Sequence, residues 1–189
     1  MEQRPRLKKM HKTCNGKFLK SYRLEYEMPE GGKKYYEMVS RSELTNQQKL
    51  GSHNSGVSVV VFCEDKLLLL KEYRMAVGDY VINLVGGMLE SGESIEECVK
   101  REVEEETGLV VTNIKKILPP SFAAVAICDI KTSLVIAQAQ GKLKCWDEKE
   151  NIYPGLYTKE EAKELLRTEK FAARCQMITY YFSEGHTLV

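Results

Sequence analysis

Residues 87–109 read Gly87-Met-Leu-Glu-Ser-Gly-Glu-Ser-Ile-Glu-Glu-Cys-Val-Lys-Arg-Glu-Val-Glu-Glu-Glu-Thr-Gly-Leu109, a glycine turn followed by an acidic segment. Ser94 and Glu97 have the spacing of a capping box, in which each side chain satisfies a backbone donor of the other. Gly108 is the residue type that ends a helix in the left-handed conformation. The stretch therefore predicts a helix from about Ile95 to Thr107.

This helix carries carboxylates on the side that should face a core. At about 100° per residue, its apolar residues form one stripe. The stripe consists of Ile95, Cys98, Val99 and Val103. Glu102 and Glu106 fall on the same stripe and would repel each other there, and a hard divalent cation would offset that repulsion. A solvated acidic helix is the alternative for a glutamate-rich run.

The spacing of the motif carries a resemblance to a known family. Its fixed positions, which resemble a complete Nudix box, are Gly87, Glu93, Arg101-Glu102-Val103, Glu105-Glu106 and Gly108-Leu109. The resemblance implies an α/β class fold, an α/β/α sandwich with a mixed sheet. It also implies hydrolysis of a phosphoanhydride with Mg²⁺, or Mn²⁺, held by carboxylates and one carbonyl. These ligands would be Glu102, Glu105, Glu106 and Gly86.

A wider pattern resembles one branch of that family, the ADP-ribose pyrophosphatases. It comprises Lys71-Glu-Tyr-Arg74, Tyr80-Val-Ile-Asn-Leu-Val-Gly-Gly87 and the β-rich N-terminal region ending at Arg41. The resemblance implies a homodimer formed through the N-terminal sheet and conversion of ADP-ribose to AMP and ribose 5-phosphate. The implied substrate-binding residues are Arg74, Arg41 and Gly87, because an arginine fork suits phosphate and a glycine lets backbone approach closely. For Arg41, a structural salt bridge is the alternative.

Two positions depart from this branch. The segment entering the box is Asn83-Leu-Val-Gly-Gly87, where the group usually has Glu-Leu-Pro-Ala-Gly. Ile130 follows Asp129 where relatives commonly carry a glutamate that helps to activate water. Isoleucine cannot accept a proton, so Asp129 or Glu105 is the predicted general base, unless catalysis is weak.

The predicted catalytic residues are thus Glu105, Asp129 and Arg101. Arg101 is expected to orient carboxylates, reaching Glu105 one turn along and Glu93 or Glu97 behind it, instead of touching substrate. A plain surface ion pair is the alternative for Arg101.

Other functions remain open from the sequence. A GDP-sugar, another nucleoside diphosphate sugar or a dinucleoside polyphosphate would suit the same box, and a nucleotide-binding module with weak chemistry would keep the same pocket. An aromatic residue is expected to stack on the base. The candidates are Tyr22, Tyr26, Tyr35 and Tyr36.

Composition sets wider limits. The chain has 189 residues, 43% hydrophobic and 29% charged, with a net charge of +1, which gives no indication of nucleic-acid or membrane binding. Six cysteines without a CxxC pair, beside three histidines, argue against a zinc site. Reduced cysteines, and the lack of a leader or spanning segment, predict a cytoplasmic protein.

The chain is predicted to have two parts. Residues 1–52 form a frayed basic arm and a small antiparallel β-sheet built on a hairpin within 17–41, and residues 53–189 form the Nudix domain. Residues 42–56 have the polarity of a linker, and the apolar 119–131 segment is a loop long enough to be functional. Strands are expected at 57–62, 67–70, 80–85, 113–118 and 133–139, and further helices at 158–167 and 171–182.

Overall fold

The computed structural model describes residues 4–144 and 151–186. The chain divides into two compact units. The N-terminal unit comprises Met1–Ser55 and Pro120–Thr132, and the central unit comprises Gly56–Pro119 and Ser133–Val189. The predicted boundary between residues 52 and 53 stays a prediction, while the contacts add the 120–132 segment to the N-terminal unit.

In the described residues, seven strands precede the first α-helix, four more strands follow it, and two helices come last. In chain order they are β1 (Arg6–Asn15), β2 (Lys20–Glu27), β3 (Lys33–Ser40), β4 (Asn54–Cys63), β5 (Lys66–Arg74), β6 (Asp79–Asn83), β7 (Val85–Met88), α1 (Ile95–Thr107), β8 (Val110–Ile117), β9 (Ser121–Phe122), β10 (Lys131–Gln140), β11 (Ile152–Tyr157), α2 (Lys159–Thr168) and α3 (Ala173–Ser183). A short 3-10 turn at Gln47–Lys49 interrupts the polar segment predicted as a linker.

The N-terminal unit is built on a three-stranded antiparallel sheet in the order β1-β2-β3. Its small core consists of Tyr22, Leu24, Met38 and Leu44. The 120–132 segment joins this unit through main-chain bonds, since the Val39 N–H donates to the carbonyl of Ile127 at 2.9 Å. The predicted small antiparallel sheet is therefore confirmed.

The frayed arm predicted for the N-terminus is wrong for the described residues, because Arg6–Asn15 forms strand β1. This strand pairs with β2 along its length, with register shifts that break its regular alternation. Only Leu7 and Met10 pack against the small core, while the basic side chains stay exposed. Charged residues are common on edge strands, and here they hid the strand pattern.

The central unit contains the main sheet, whose path is β11-β5-β4-β10-β8, with β6 paired to β5 and β7 paired to β4. The leucines of β5 alternate between its two faces. Leu68 and Leu70 pack with residues of α1, whereas Leu67 and Leu69 pack with residues of α2 and α3. The sheet thus lies between two helical layers, and the predicted α/β/α sandwich is confirmed.

The single strand predicted at 80–85 is wrong, because the chain changes partner at Leu84. Residues 79–83 pair with β5, and residues 85–88 pair with β4. The Asn83 side chain accepts a bond from the Leu84 N–H at 3.0 Å, which ends one strand before the next begins. Strand β11 was not predicted, because Pro154 and Gly155 are typical of turns. It pairs with β5 at the end of the sheet path, where proline is tolerated.

The other expected elements are confirmed with shifted ends. Strands β4, β5, β8 and β10 and helices α2 and α3 cover the predicted segments. Among the described residues, no helix combines the length and the apolar character needed to cross a bilayer.

Candidate active site

Helix α1 begins and ends as its sequence predicts. The Glu97 N–H donates to the Ser94 hydroxyl at 3.2 Å, and the Glu97 carboxylate accepts from the Ser94 N–H at 2.9 Å. Gly108 has φ 75°, and its N–H donates to the carbonyl of Glu104 at 2.8 Å. A left-handed residue at this point costs little only when it is glycine. The capping box and this glycine set the helix at Ile95–Thr107.

Burial of the apolar stripe sets the rotation of α1. Cys98, Val99 and Val103 are completely buried against the sheet. The Glu102 side chain, on the same side, is 12% exposed, whereas that of Glu105 is 60% exposed. The helix therefore holds one carboxylate largely out of water and presents another to solvent.

The glycines before the helix make room for these carboxylates. Gly86 and Gly87 lie in β7 and pair with Ser58 and Val57 of β4. A Cβ atom at Gly87 would overlap the Glu102 carboxylate. The N–H of Gly86 donates to Glu106 Oε2 at 3.3 Å. The acidic face of α1 thus rests directly on the main chain of β7.

Arg101 ties the acidic residues together. Its Nε and Nη2 donate to the two oxygens of Glu93 at 2.8 and 2.9 Å. Its Nη1 donates to Glu102 at 2.7 Å and to Glu105 at 3.2 Å. The predicted contacts with Glu93 and Glu105 are present, whereas Glu97 is used by the capping box. Arg101 is about one quarter exposed, so it is more than a surface ion pair.

Charge and burial shift the acidity of these groups in opposite directions. Hydrogen bonds from Arg101, together with one from the Glu90 N–H, lower the pKa of Glu93 to about 2. Burial raises the pKa of Glu102, and the bond from Arg101 opposes that rise. The hydrogen bond to Glu93 raises the pKa of Arg101 further above its ordinary value. Burial thus makes the negative charge of Glu102 costly to keep.

The donor set suits a hard divalent cation. In the described ranges, no three acidic, histidine or cysteine side chains already converge on one point, and Arg101 bonds to Glu93, Glu102 and Glu105. However, a buried carboxylate with a raised pKa, packed against a glycine that leaves space for it, is the arrangement that a cation stabilises.

The remaining predicted residues divide between the units. Arg74 lies at the end of β5 in the central unit, and its Nε is 3.3 Å from Glu72. Arg41 and Asp129 belong to the N-terminal unit and line the same small cleft. Asp129 Oδ2 accepts a bond from the Gly51 N–H at 3.1 Å. The central unit therefore brings the box residues together, while the roles of Arg41 and Asp129 stay predictions.

The N-terminal unit also contains a cavity of about 480 Å³. Of the four aromatic candidates, Tyr26 and Tyr36 line it. Tyr22 is only 2% exposed and belongs to the small core, and the Tyr35 ring packs under the guanidinium of Arg23 at 4.4 Å. Tyr26 and Tyr36 are therefore the two candidates that line this cavity, and base stacking itself stays a prediction.

Sequence reasoning missed two side-chain contacts of the central unit. Glu72, for which the sequence predicted no role, is buried and accepts a bond from Asn83 at 2.6 Å. Cys98 contacts Arg101 through its sulfur at 3.6 Å, and burial raises the pKa of its thiol to about 12. The leucine run of β5 continues in alternation into Glu72, a signal that could have shown its inward orientation.

Comparison with known proteins identifies the class. Residues 52–170, more than half of the chain, match the family described as the NUDIX domain. The chain therefore belongs to the Nudix family, as its box predicted. Within that family it is similar to ADP-ribose pyrophosphatases, and the ADP-ribose pyrophosphatase of Escherichia coli (strain K12) is 28% identical over 133 residues, or 65% of this chain and 63% of that protein.

Other similar proteins align with a smaller or a larger part of this chain. The NAD-capped RNA hydrolase NudC of Photobacterium profundum is 46% identical over 59 residues, or 31% of this chain and 21% of that protein. The chain thus spans about a fifth of that relative's length. A solved structure described as an ADP compounds hydrolase is 22% identical, with a TM-score of 0.73 and 98% of each chain covered. That likeness is one of fold.

Proposed function

We propose that this protein hydrolyses the diphosphate of a nucleoside diphosphate derivative, with ADP-ribose as the favoured substrate and AMP and ribose 5-phosphate as products. The observation that carries the proposal is the buried Glu102 carboxylate seated against Gly87, with Glu106 bonded to the N–H of Gly86. The similarity to an ADP-ribose pyrophosphatase supports the choice of substrate.

The reaction adds water across one phosphoanhydride bond. One phosphorus gains the hydroxyl group, and the other phosphate leaves with the bridging oxygen. Glu102, Glu105, Glu106 and the carbonyl of Gly86 would hold Mg²⁺, which supplies charge neutralisation at the diphosphate and an acidified water. Arg101 holds Glu102 and Glu105 in position.

The general base is proposed to be Asp129, with Glu105 as the alternative. Glu105 is exposed and anchored at one oxygen by Arg101, and Asp129 is anchored at one oxygen by the Gly51 N–H. Asp129→Asn tests the first assignment, because an amide keeps a bond acceptor but cannot take a proton, whereas Glu105→Gln would also alter a proposed Mg²⁺ ligand. If Asp129→Asn turns over as fast as the parent, its assignment as base is wrong.

The decisive test is a substrate panel with Mg²⁺, comprising ADP-ribose, a GDP-sugar, a dinucleoside polyphosphate and NAD, with released monophosphate as the readout. NAD belongs in the panel because of the similarity to a NAD-capped RNA hydrolase. We expect the highest kcat/KM for ADP-ribose and loss of turnover in Glu106→Gln. Binding without turnover on any compound would leave a nucleotide-binding module and contradict the hydrolase.

The proposal includes a homodimer formed through the N-terminal unit. In that unit, the most exposed large apolar side chains include Phe18, Val125 and Ile127, which are 66%, 76% and 60% exposed. A dimer interface in this unit would remove such side chains from water. Sedimentation should give twice the monomer mass, and Val125→Lys is expected to shift the protein toward the monomer. A monomeric parent would contradict this part.

A further inference from the structure

Glu72 is a buried carboxylate outside the acidic helix. It lies in β5, is 7% exposed, and its Oε1 accepts a bond from Asn83 Nδ2 at 2.6 Å. The same oxygen is 3.3 Å from Nε of Arg74. Burial of a carboxylate is costly unless it has polar partners, and here an amide bonds to Oε1 while a guanidinium pairs with the same oxygen.

Strand alternation places these three residues on the face of the sheet that carries α1. Leu68 and Leu70 of β5 pack in the cluster that contains Val99 and Val103 of α1. Glu72 and Arg74 continue this alternation, and Asn83 lies directly opposite Leu70 in the antiparallel pair of β5 and β6. The three side chains therefore extend the side of the sheet on which the acidic helix lies.

Glu72 and Asn83 are held by hydrogen bonds, whereas the side chain of Arg74 is exposed. The Asn83 amide is fixed at both ends, since its Oδ1 accepts from the Leu84 N–H while its Nδ2 donates to Glu72. The Arg74 side chain is 55% exposed. Its contact with Glu72 is made through Nε, which is not part of the outer Nη1–Nη2 edge of the guanidinium. That edge can bond two phosphate oxygens at once.

We infer that Glu72 and Asn83 form a positioning pair that orients the Arg74 guanidinium so that its outer edge binds the diphosphate of the substrate. The inference rests on the proposed diphosphate hydrolysis and adds the residues that set the geometry of one phosphate contact.

The test is a double-mutant cycle between Glu72 and Arg74 with ADP-ribose. Glu72→Gln keeps the bond to Asn83 but removes the charge facing Arg74, so we expect KM to rise about 3–10-fold with kcat within about twofold. Arg74→Ala should raise KM by about 10–100-fold, and adding Glu72→Gln to it should change KM by less than about twofold. Equal effects of Glu72→Gln in both backgrounds would overturn the inference.

Two further variants separate positioning from folding. Asn83→Ala removes the second anchor of Glu72 while keeping both charges, and should raise KM by about 2–5-fold. Glu169→Gln is the matched control, because Glu169 pairs at 2.7 Å with Lys71, the neighbour of Glu72 on the opposite face of β5. We expect its KM to equal that of the parent. A KM rise in the control as large as that of Glu72→Gln would show a structural role only.

The same cycle distinguishes this inference from failure of the proposed function. If the parent turns over no substrate, the dissociation constant of ADP is measured by calorimetry for the four proteins of the cycle. Coupling between Glu72 and Arg74 in that constant would support the positioning pair while the hydrolase proposal fails. Additive effects, or no ADP binding by the parent, would overturn the positioning pair.

Discussion

Helices α1 and α2 begin in the same way and differ in what they bury. Each opens with a capping box, formed by Ser94 and Glu97 in α1 and by Thr158 and Glu161 in α2. In α2, the buried residue is Ala162. In α1, the buried stripe continues into Glu102, whose side chain is 12% exposed. The cap therefore defines a helix, and the inward placement of a carboxylate distinguishes the helix to which the proposed chemistry is assigned.

The largest difference between the helices should appear when a carboxylate is neutralised. Glu102→Gln is expected to lower kcat by about 100-fold or more, because an amide cannot supply the negative charge that the reaction requires. The matched variant in α2 is Glu164→Gln, a position 63% exposed, which should leave the rate unchanged. Steady-state rates on the preferred substrate decide, and an equal loss in both variants would show that inward placement is irrelevant.

The glycines ahead of α1 offer a second contrast. In Gly87→Ala the new methyl overlaps a flexible carboxylate, so we expect the Glu102 side chain to move and kcat to fall by about tenfold with little change in thermal midpoint. In Gly86→Ala the methyl would lie 2.8 Å from the carbonyl of Val57, which cannot move without disturbing β4. We therefore expect a lower thermal midpoint for Gly86→Ala than for Gly87→Ala, and the opposite order would contradict this explanation.

Arg101 of α1 is expected to contribute to the free energy of unfolding, whereas Arg167 of α2 is not. Arg101→Lys loses the paired bonds to Glu93 and should reduce the free energy of unfolding by about 1–3 kcal/mol. Arg167→Lys is the control, since Arg167 is 79% exposed and lies 3.8 Å from Glu164. Urea unfolding of both variants measures the difference, and equal midpoints would show that Arg101 is an ordinary surface residue.

Removing the N-terminal cap should have the smallest effect, a loss of stability that is the same in both helices. Ser94→Ala and Thr158→Ala each remove one capping bond and should each cost about 1 kcal/mol of unfolding free energy. Chemical denaturation gives both values. A cost confined to one helix would mean that the two caps are not equivalent, despite their matching bonds to Glu97 and Glu161.

Elements set by interactions between residues close in sequence could be predicted, whereas those set by pairing with distant strands could not. The bounds of α1 were predictable because a capping box and a left-handed glycine act within a few residues. The change of partner at Leu84 was not, since it depends on β5 and β4, which lie earlier in the chain. Strand β1 was hidden by its basic residues, and β11 by Pro154 and Gly155, which an edge position tolerates.

The candidate site shows the same division. The bond of Arg101 to Glu105 follows from helix periodicity, and the box residues were identified by their resemblance to a family motif. The bond to Glu93 was predicted as one to a residue just before the helix. Glu72 could not be assigned in this way, because its partner Asn83 comes from a different strand. Asp129 and Arg41 were assigned through family resemblance, and their roles await the variants described above.

Because β5 contains four successive leucines, the register of this strand depends on Glu72. Leu67 to Leu70 are identical residues, so a shift of the strand by one position would still place leucine on both faces of the sheet. Such a shift would turn Glu72 away from Asn83 and toward the layer of α2 and α3. An unpaired carboxylate there would cost several kcal/mol. The residue that we infer to position an arginine thus also favours the aligned register over the shifted one by that amount.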